Sequence, residues 1–459
     1  MGEMSVPDDA LWGASTQRAV LNFPVSGRTM PAGFLRGLAL VKAAAAQANV
    51  ALGRLTPEKG RCIEAAAREV AAGQHAGQFP VDVFQTGSGT STHTNMNEVI
   101  ARRAMQLADS QSGLRLKIHP NDDVNLGQSS NDVVPSALHV GVAVALHDDL
   151  RPALAALAVA LERKAEEFAG VVKLGRTHLM DATPLTLGQE FSGYAAQVRK
   201  AGARVQHGIG LLGELAVGGT AVGTGLNAHP GFAALVCRRL SEETGLAFRE
   251  AGNHFEAQAA RDDCVEVAGG LVAVAASLTK IANDLRLLGS GPRAGLGELR
   301  LPSVQPGSSI MPGKSNPVLC ETVVQVGLYV QGLAQTVMAC GREGQLELNA
   351  TLPLLAHCLH EAIRCLAGGA RVFAEKCVEG IEADPARCRE HTGRSLMLVT
   401  ALTPKIGYDA AASVAKEAFA TGKSLREVVL ARGLLDAAAL DRALDPAGMT
   451  GPSAPSASV

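Results

Sequence analysis

Leucines recur at Leu146, Leu150, Leu154, Leu157 and Leu161, spacings of three and four that line one face of an α-helix. The stripe predicts a helix over Ser136–Phe168, about 50 Å long at 1.5 Å per residue, with a bend at Pro152. Further long helices are predicted over Gly188–Leu212, Ala257–Leu288, Asn316–Gly341 and Leu352–Glu379, joined by loops that hold Gly and Pro. As far as residue 130 the texture differs. Short helical segments alternate there with loops rich in Gly, Ser, Thr and Asn, and Pro-containing stretches at Phe23–Pro31 and Phe79–Val81 break the pattern. Past Asp384-Pro385 the pattern shortens again, so Ala386–Asp445 reads as a small helical end domain and Pro446–Val459 as a disordered tail. Helices this long bury their faces in a bundle, often one shared between subunits. The expected chain is all-α in three parts: residues 1–130, a central long-helix bundle over 131–385, and 386–459.

Composition supports helix packed on helix. Ala-rich runs such as Val41–Val50 favour helix, and aromatic residues are only 3% of the chain. With 42 Lys and Arg against 44 Asp and Glu, and no basic block, a nucleic-acid partner is disfavoured. Nine cysteines without a C-x-x-C pair read as reduced, buried thiols, and the polar start of the chain holds no signal-peptide core. Two stretches without a charged residue have membrane-spanning length, Leu215–Cys237 and Thr322–Gly341. Glycines, Asn227, His229 and Pro230 interrupt the first; Gln325, Gln331 and Gln335 make the second a better bundle helix than a membrane span. A soluble, cytoplasmic protein follows from these readings.

Four polar clusters interrupt the apolar background. The first, Thr86-Gly87-Ser88-Gly89-Thr90-Ser91-Thr92, reads either as a helix N-cap turn or as a loop whose glycines let backbone amides approach an anion. The second runs from His119-Pro120-Asn121-Asp122 to Ser129-Ser130-Asn131-Asp132. It offers hydroxyl and amide donors to a carboxylate, or a self-capping turn. The third, Gly175-Arg176-Thr177-His178, carries a histidine able to act as acid or base near neutral pH, or simply a structural one. The fourth, Gln305–Pro317, brackets Ser308 and Ser309 between Gly307 and Gly313. It then places Lys314 and Asn316 near a helix start, a cationic, donor-rich spot for a dianion or else a surface connector. Glu321 follows as a carboxylate able to orient a histidine. His357 and His360 lack the partners of a zinc site, and no Gly-x-Ser-x-Gly elbow is present.

From Val6-Pro7 and Leu11-Trp12-Gly13-Ala14 to Ile406-Gly407-Tyr408-Asp409, the chain resembles the fumarase/aspartase superfamily, and within it class II fumarase. Gly307–Asn316 is similar to the superfamily signature and Ala216–Asn227 to a fumarase block. Aspartases read Gly-Arg-Thr-Gln, Met-Pro-Ala-Lys and Ser-Thr-Asn-Asp, whereas this chain has His178, Gly313 and Ser130 at the distinguishing places. The alternative is an aspartate ammonia-lyase or a related superfamily lyase. The resemblance implies a three-domain helical fold and a homotetramer whose central domains share a bundle, with active sites drawn from three subunits.

The implied reaction is reversible hydration of fumarate to (S)-malate, a step of the tricarboxylic acid cycle, without cofactor or metal. By resemblance, His178, Ser308, Lys314 and Glu321 are catalytic. Ser88, Gly89, Thr90, Ser129, Ser130, Asn131, Thr177, Ser309, Lys314 and Asn316 bind the dicarboxylate. His119, Pro120, Asn121 and Asp122 match a secondary dicarboxylate site. The chain departs from the family pattern at Ser315 (usually Val), at His93 (often Asn), and at Leu116 between Arg115 and Lys117, where an Arg often supports the secondary site.

Overall fold

The computed structural model describes residues 2–112 and 115–452. The helices are α1 Ala14–Asn22, α2 Ala32–Ala51, α3 Pro57–Ala71, α4 Thr90–Ser112, α5 Ser130–Ala145, α6 Arg151–Glu167, α7 Leu187–Leu211, α8 Phe232–Thr244, α9 His254–Ala259, α10 Asp262–Leu288, α11 Val318–Gly341, α12 Leu352–Lys376, α13 Pro385–Arg394, α14 Thr403–Ile406, α15 Tyr408–Thr421, α16 Leu425–Ala431 and α17 Ala437–Ala443. The chain divides into two compact units: Met1–Leu154, Lys200–Ala276 and Gln325–Gly369 form the first, and Ala155–Arg199, Ser277–Val324 and Ala370–Val459 the second.

In the first unit α2 is buried almost all round, which suits its run of Ala, Leu and Val. Fully buried Leu38 and Val41 each contribute roughly 1.5–3 kcal/mol of transfer free energy. Its close crossing of α5 depends on Gly37, where an added Cβ would lie 2.5 Å from the Ala137 carbonyl oxygen and 2.7 Å from the Gly141 nitrogen. A capping box starts α5: Ser129 Oγ accepts from the Asn131 N–H, and Asp132 Oδ1 accepts from the Ser129 N–H.

In the second unit, β1 Val172–Thr177 and β2 Met180–Thr186 form an antiparallel hairpin in which Thr177 faces Met180. Leu299–Arg300 pairs with Glu382–Ala383, fixing the start of the segment that leads to α11. The terminal helices keep a small core of their own, built on Leu402, Val414, Val428, Val429 and Leu440.

Several sequence expectations change. The first 130 residues hold the long helices α2 and α4 beside the shorter α1 and α3; burial on nearly every side of α2 removes the polar face that periodicity would detect. The predicted helix is α5 and α6 joined through a π-turn at Leu146–Leu150, which carries the first two leucines of the stripe, while Leu154, Leu157 and Leu161 lie in α6. Pro152 lacks an N–H and would crowd the carbonyl of Asp148, which the wider turn accommodates. The helix predicted from Ala257 breaks at Ala260, whose backbone is extended (φ −85°, ψ 154°), and α10 restarts with Asp262 and Asp263 in its first turn, where acidic side chains suit the helix dipole.

Of the predicted tail, Pro446–Met449 forms a 3₁₀ turn capped by Asp445, and residues 453–459 lie outside the described part. All nine cysteines are free. Leu215–Cys237 is mostly loop before α8. By length and composition alone, α10 and α11 are long and apolar enough to cross a membrane.

Candidate active site

Two helix N-termini converge in the first unit. Gly89, at φ +73°, ends a turn closed by its N–H on the Thr86 carbonyl and delivers Thr90 to the first position of α4. Ser130 holds the same position in α5. Their hydroxyl oxygens are 2.7 Å apart, Ser88 Oγ is 2.7 Å from Thr90 Oγ1, and Ser130 Oγ lies 3.5 Å from Asn131 Oδ1. Asn131 Nδ2 donates to the Ala221 carbonyl at 2.8 Å. Hydroxyl protons can rotate outward, and both helix dipoles favour an anion at this point. Gly87 has no room for a side chain, since a Cβ there would lie 1.8 Å from the Ala350 carbonyl oxygen.

Asp132 anchors the cluster from behind. Its buried carboxylate accepts from the N–H groups of Gly218 (2.9 Å) and Thr220 (3.1 Å) as well as Ser129. Burial raises its pKa to about 6, opposed by these three N–H groups and by Lys42. The Gly-Gly-Thr block is thereby tied to the first turn of α5.

Thr177 and His178 lie in the second unit, both exposed. His178 and Leu179 form a two-residue hairpin turn with φ of 56° and 62°. Such a turn ordinarily takes Asn-Gly. Left-handed backbone at residues with a Cβ costs about 1–3 kcal/mol each, and strain of this kind clusters at functional sites. The strained turn holds the imidazole clear of the protein.

The hairpin is anchored by Glu298, whose carboxylate is wholly buried. It meets Arg176 Nη2 at 2.8 Å, Lys173 Nζ at 3.3 Å and His391 Nδ1 at 2.9 Å, while Lys173 also reaches Glu190 at 3.0 Å. Burial works to raise the Glu298 pKa, but the Arg176, Lys173 and His391 partners outweigh it and keep the carboxyl below its ordinary range.

The loop before α11 is pinned at its neck. The Gly307 N–H donates to the Lys314 carbonyl at 2.8 Å, and Asn316 Nδ2 donates to the Gly307 carbonyl at 2.7 Å. A Cβ on Gly307 would lie 2.7 Å from that Lys314 oxygen. Ser308 Oγ accepts backbone N–H bonds from Ile310 (3.2 Å) and Met311 (3.0 Å). Ser309 and Lys314 are exposed. Glu321 sits in the first turn of α11. Among the described residues of one chain, His178 and Glu321 make no hydrogen bond to each other.

The remaining predicted residues serve a local turn. His119 Nδ1 accepts from the Asp122 N–H at 3.1 Å and caps Pro120–Val124; Asn121 and Asp122 are exposed. Sequence reading missed two buried charged centres, Glu298 and Lys42. The signal for Lys42 was available: one lysine inside the apolar run Leu38–Ala46.

The helical fold, the hydroxyl-lined pair of helix N-termini in the first unit and, in the second, an exposed histidine turn are the features that the comparisons with known proteins then place in a lyase family. The lyase family matches residues 2–332, and the fumarase C C-terminal family matches residues 398–451. A class II fumarate hydratase of Halobacterium salinarum is 55% identical over 98% of this chain and 96% of its own length; that of Chromobacterium violaceum is 52% identical over 98% and 97%. The crystal structure of class II fumarase from Schistosoma mansoni superposes with a TM-score of 0.94 at 41% identity, covering 98% of this chain and 97% of that one. The chain belongs to the class II fumarate hydratase family.

Proposed function

We propose that the chain hydrates fumarate reversibly to (S)-malate, as a soluble cytoplasmic homotetramer whose active sites draw on several subunits. The observation that carries the reading is the meeting of Thr90 and Ser130 hydroxyls, 2.7 Å apart, at two helix N-termini. With Ser129, Asn131 and Thr177 they bind the substrate's oxygens; Ser88, Gly89 and Ser309 line the same site.

In the malate-to-fumarate direction Ser308 takes the proton from carbon, and the electron pair moves into the adjacent carboxylate. That group then carries nearly two negative charges, which Lys314 and Asn316 stabilise. The C–O bond breaks next, and the departing hydroxyl receives a proton from His178, oriented by Glu321, and leaves as water. Two backbone N–H groups already point at Ser308 Oγ, and they would favour its alkoxide. His119–Asp122 is kept as a separate surface dicarboxylate site with no step in the reaction.

Assembly draws support from α11. Only 33% of its most apolar window is buried within one chain, and Leu328, Tyr329 and Met338 stand exposed on it. Purified protein with no metal or nucleotide added should deplete fumarate absorbance and release no ammonia from aspartate. The reverse pattern would transfer the chain to the ammonia-lyase branch.

A further inference from the structure

Lys42 lies near the middle of α2 and is 0% exposed. Its Nζ is 2.8 Å from His93 Nε2, 3.0 Å from Asn125 Oδ1 and 3.0 Å from Gln128 Oε1. An ammonium has three protons, and three acceptors surround this one. His93 stands one turn into α4, on the face that follows Thr90. Asn125 and Gln128 belong to the segment that runs directly into Ser129, Ser130 and Asn131. That segment is further held by Asn49 Nδ2 on the Leu126 carbonyl at 3.0 Å and by Gln128 Nε2 on the Val124 and Leu126 carbonyls. One buried cation therefore grips both walls of the anion site from behind.

We infer that Lys42 is a positioning residue: through His93 on one side and Asn125 and Gln128 on the other, it sets the separation of the Thr90 and Ser130 hydroxyls that receive the substrate carboxylate. The inference rests on the dicarboxylate reading of that site. It also gives His93 a role. The imidazole faces the lysine as a neutral acceptor, protonated on Nδ1 (the tautomer that leaves Nε2 free). Burial, then the neighbouring ammonium, hold its pKa well below the ordinary histidine value, consistent with that form. Burial also lowers Lys42 to about 7, opposed by the Asp132 carboxylate. A buried charge of this kind is retained only where its partners fully satisfy it.

The test compares Lys42→Met, His93→Leu, His93→Gln and the double variant Lys42→Met/His93→Leu. Lys42→Met and His93→Leu should raise KM for fumarate about tenfold or more, the loss of one charge-assisted hydrogen bond, with kcat within a few-fold of wild type. His93→Gln restores an acceptor and should return KM to within about twofold, while the double variant should be no worse than Lys42→Met alone. A merely structural role would lower thermal stability and active fraction and leave KM unmoved; that result overturns the inference.

Crystal structures of wild type and Lys42→Met report the same point without turnover. The Thr90–Ser130 oxygen separation should widen from 2.7 Å, and an unchanged separation refutes positioning even in an active enzyme. Conversely, a wild type inert to fumarate whose Lys42→Met variant shows the widened separation would sink the proposed reaction and keep the positioning role. Should Lys42→Met fail to fold, His93→Leu carries both readouts.

Discussion

The two units treat their polar residues in opposite ways. In the first, every group that offers hydrogen bonds to an anion is braced: Thr90 by Ser88 and Ser130, Ser129 by Asp132, Asn131 by the Ala221 carbonyl. In the second, His178 stands exposed on a strained turn and Lys314 on an exposed loop, each braced through backbone while its side chain is left free. Groups that only bind gain from being held in advance. Groups that exchange protons need access to the reacting atoms, so the protein fixes the chain beneath them and leaves the tip open. On the proposed mechanism the contrast sets the braced binding residues of the first unit against the reacting ones of the second, with Thr177, Ser309 and Asn316 binding from the reacting side.

Substitutions should divide along the same line. Removing the proposed base by Ser308→Ala is expected to lower kcat by about 10²–10⁴ with KM nearly unchanged, measured by steady-state fumarate hydration. His178→Asn should follow at about 10², again in kcat, with retained binding of a non-reacting dicarboxylate by calorimetry. A KM effect from either would blur the division. Ser130→Ala, in the braced unit, should instead raise KM by about 10-fold to 100-fold, the worth of one hydrogen bond to a charged group, while kcat moves little.

Glu298→Gln probes the anchor beneath His178. Its effect belongs on stability, with the activity of the folded fraction retained. The folded-state pKa of Glu298 lies below its unfolded value of about 4.3, so its contribution is complete above that pH and is lost as pH falls through the folded value. Thermal melts should show wild type well above Glu298→Gln at pH 7, and the gap closing on acidification. A gap that stays constant to low pH would mean the carboxylate charge is not what holds the hairpin.

Much of the candidate site was legible because its residues lie in contiguous polar runs set in an apolar background. Ser129-Ser130-Asn131, Thr177-His178 and Gly307–Asn316 can be read as blocks. The long helices α7 and α11 were legible for a related reason: their apolar stripes keep a solvent or partner face. What escaped was the scaffold behind these blocks. Glu298 meets Lys173 and Arg176 from far along the chain, and Lys42 meets His93, Asn125 and Gln128 only because α2 crosses α5 at Gly37. Pairings at that separation leave no local period. Burial on nearly every face likewise hid the extent of α2, of which only the Ala-rich run Val41–Val50 read as helix.

The most direct measurement is a crystal structure of the assembled protein with a non-reacting four-carbon dicarboxylate. The account predicts one carboxylate within hydrogen-bond reach of the Thr90 and Ser130 hydroxyls, with Ser308 Oγ, Lys314 Nζ and His178 brought to the same molecule from other subunits. An acid bound elsewhere, or bound there with Ser308 and Lys314 remote in every subunit, would contradict it.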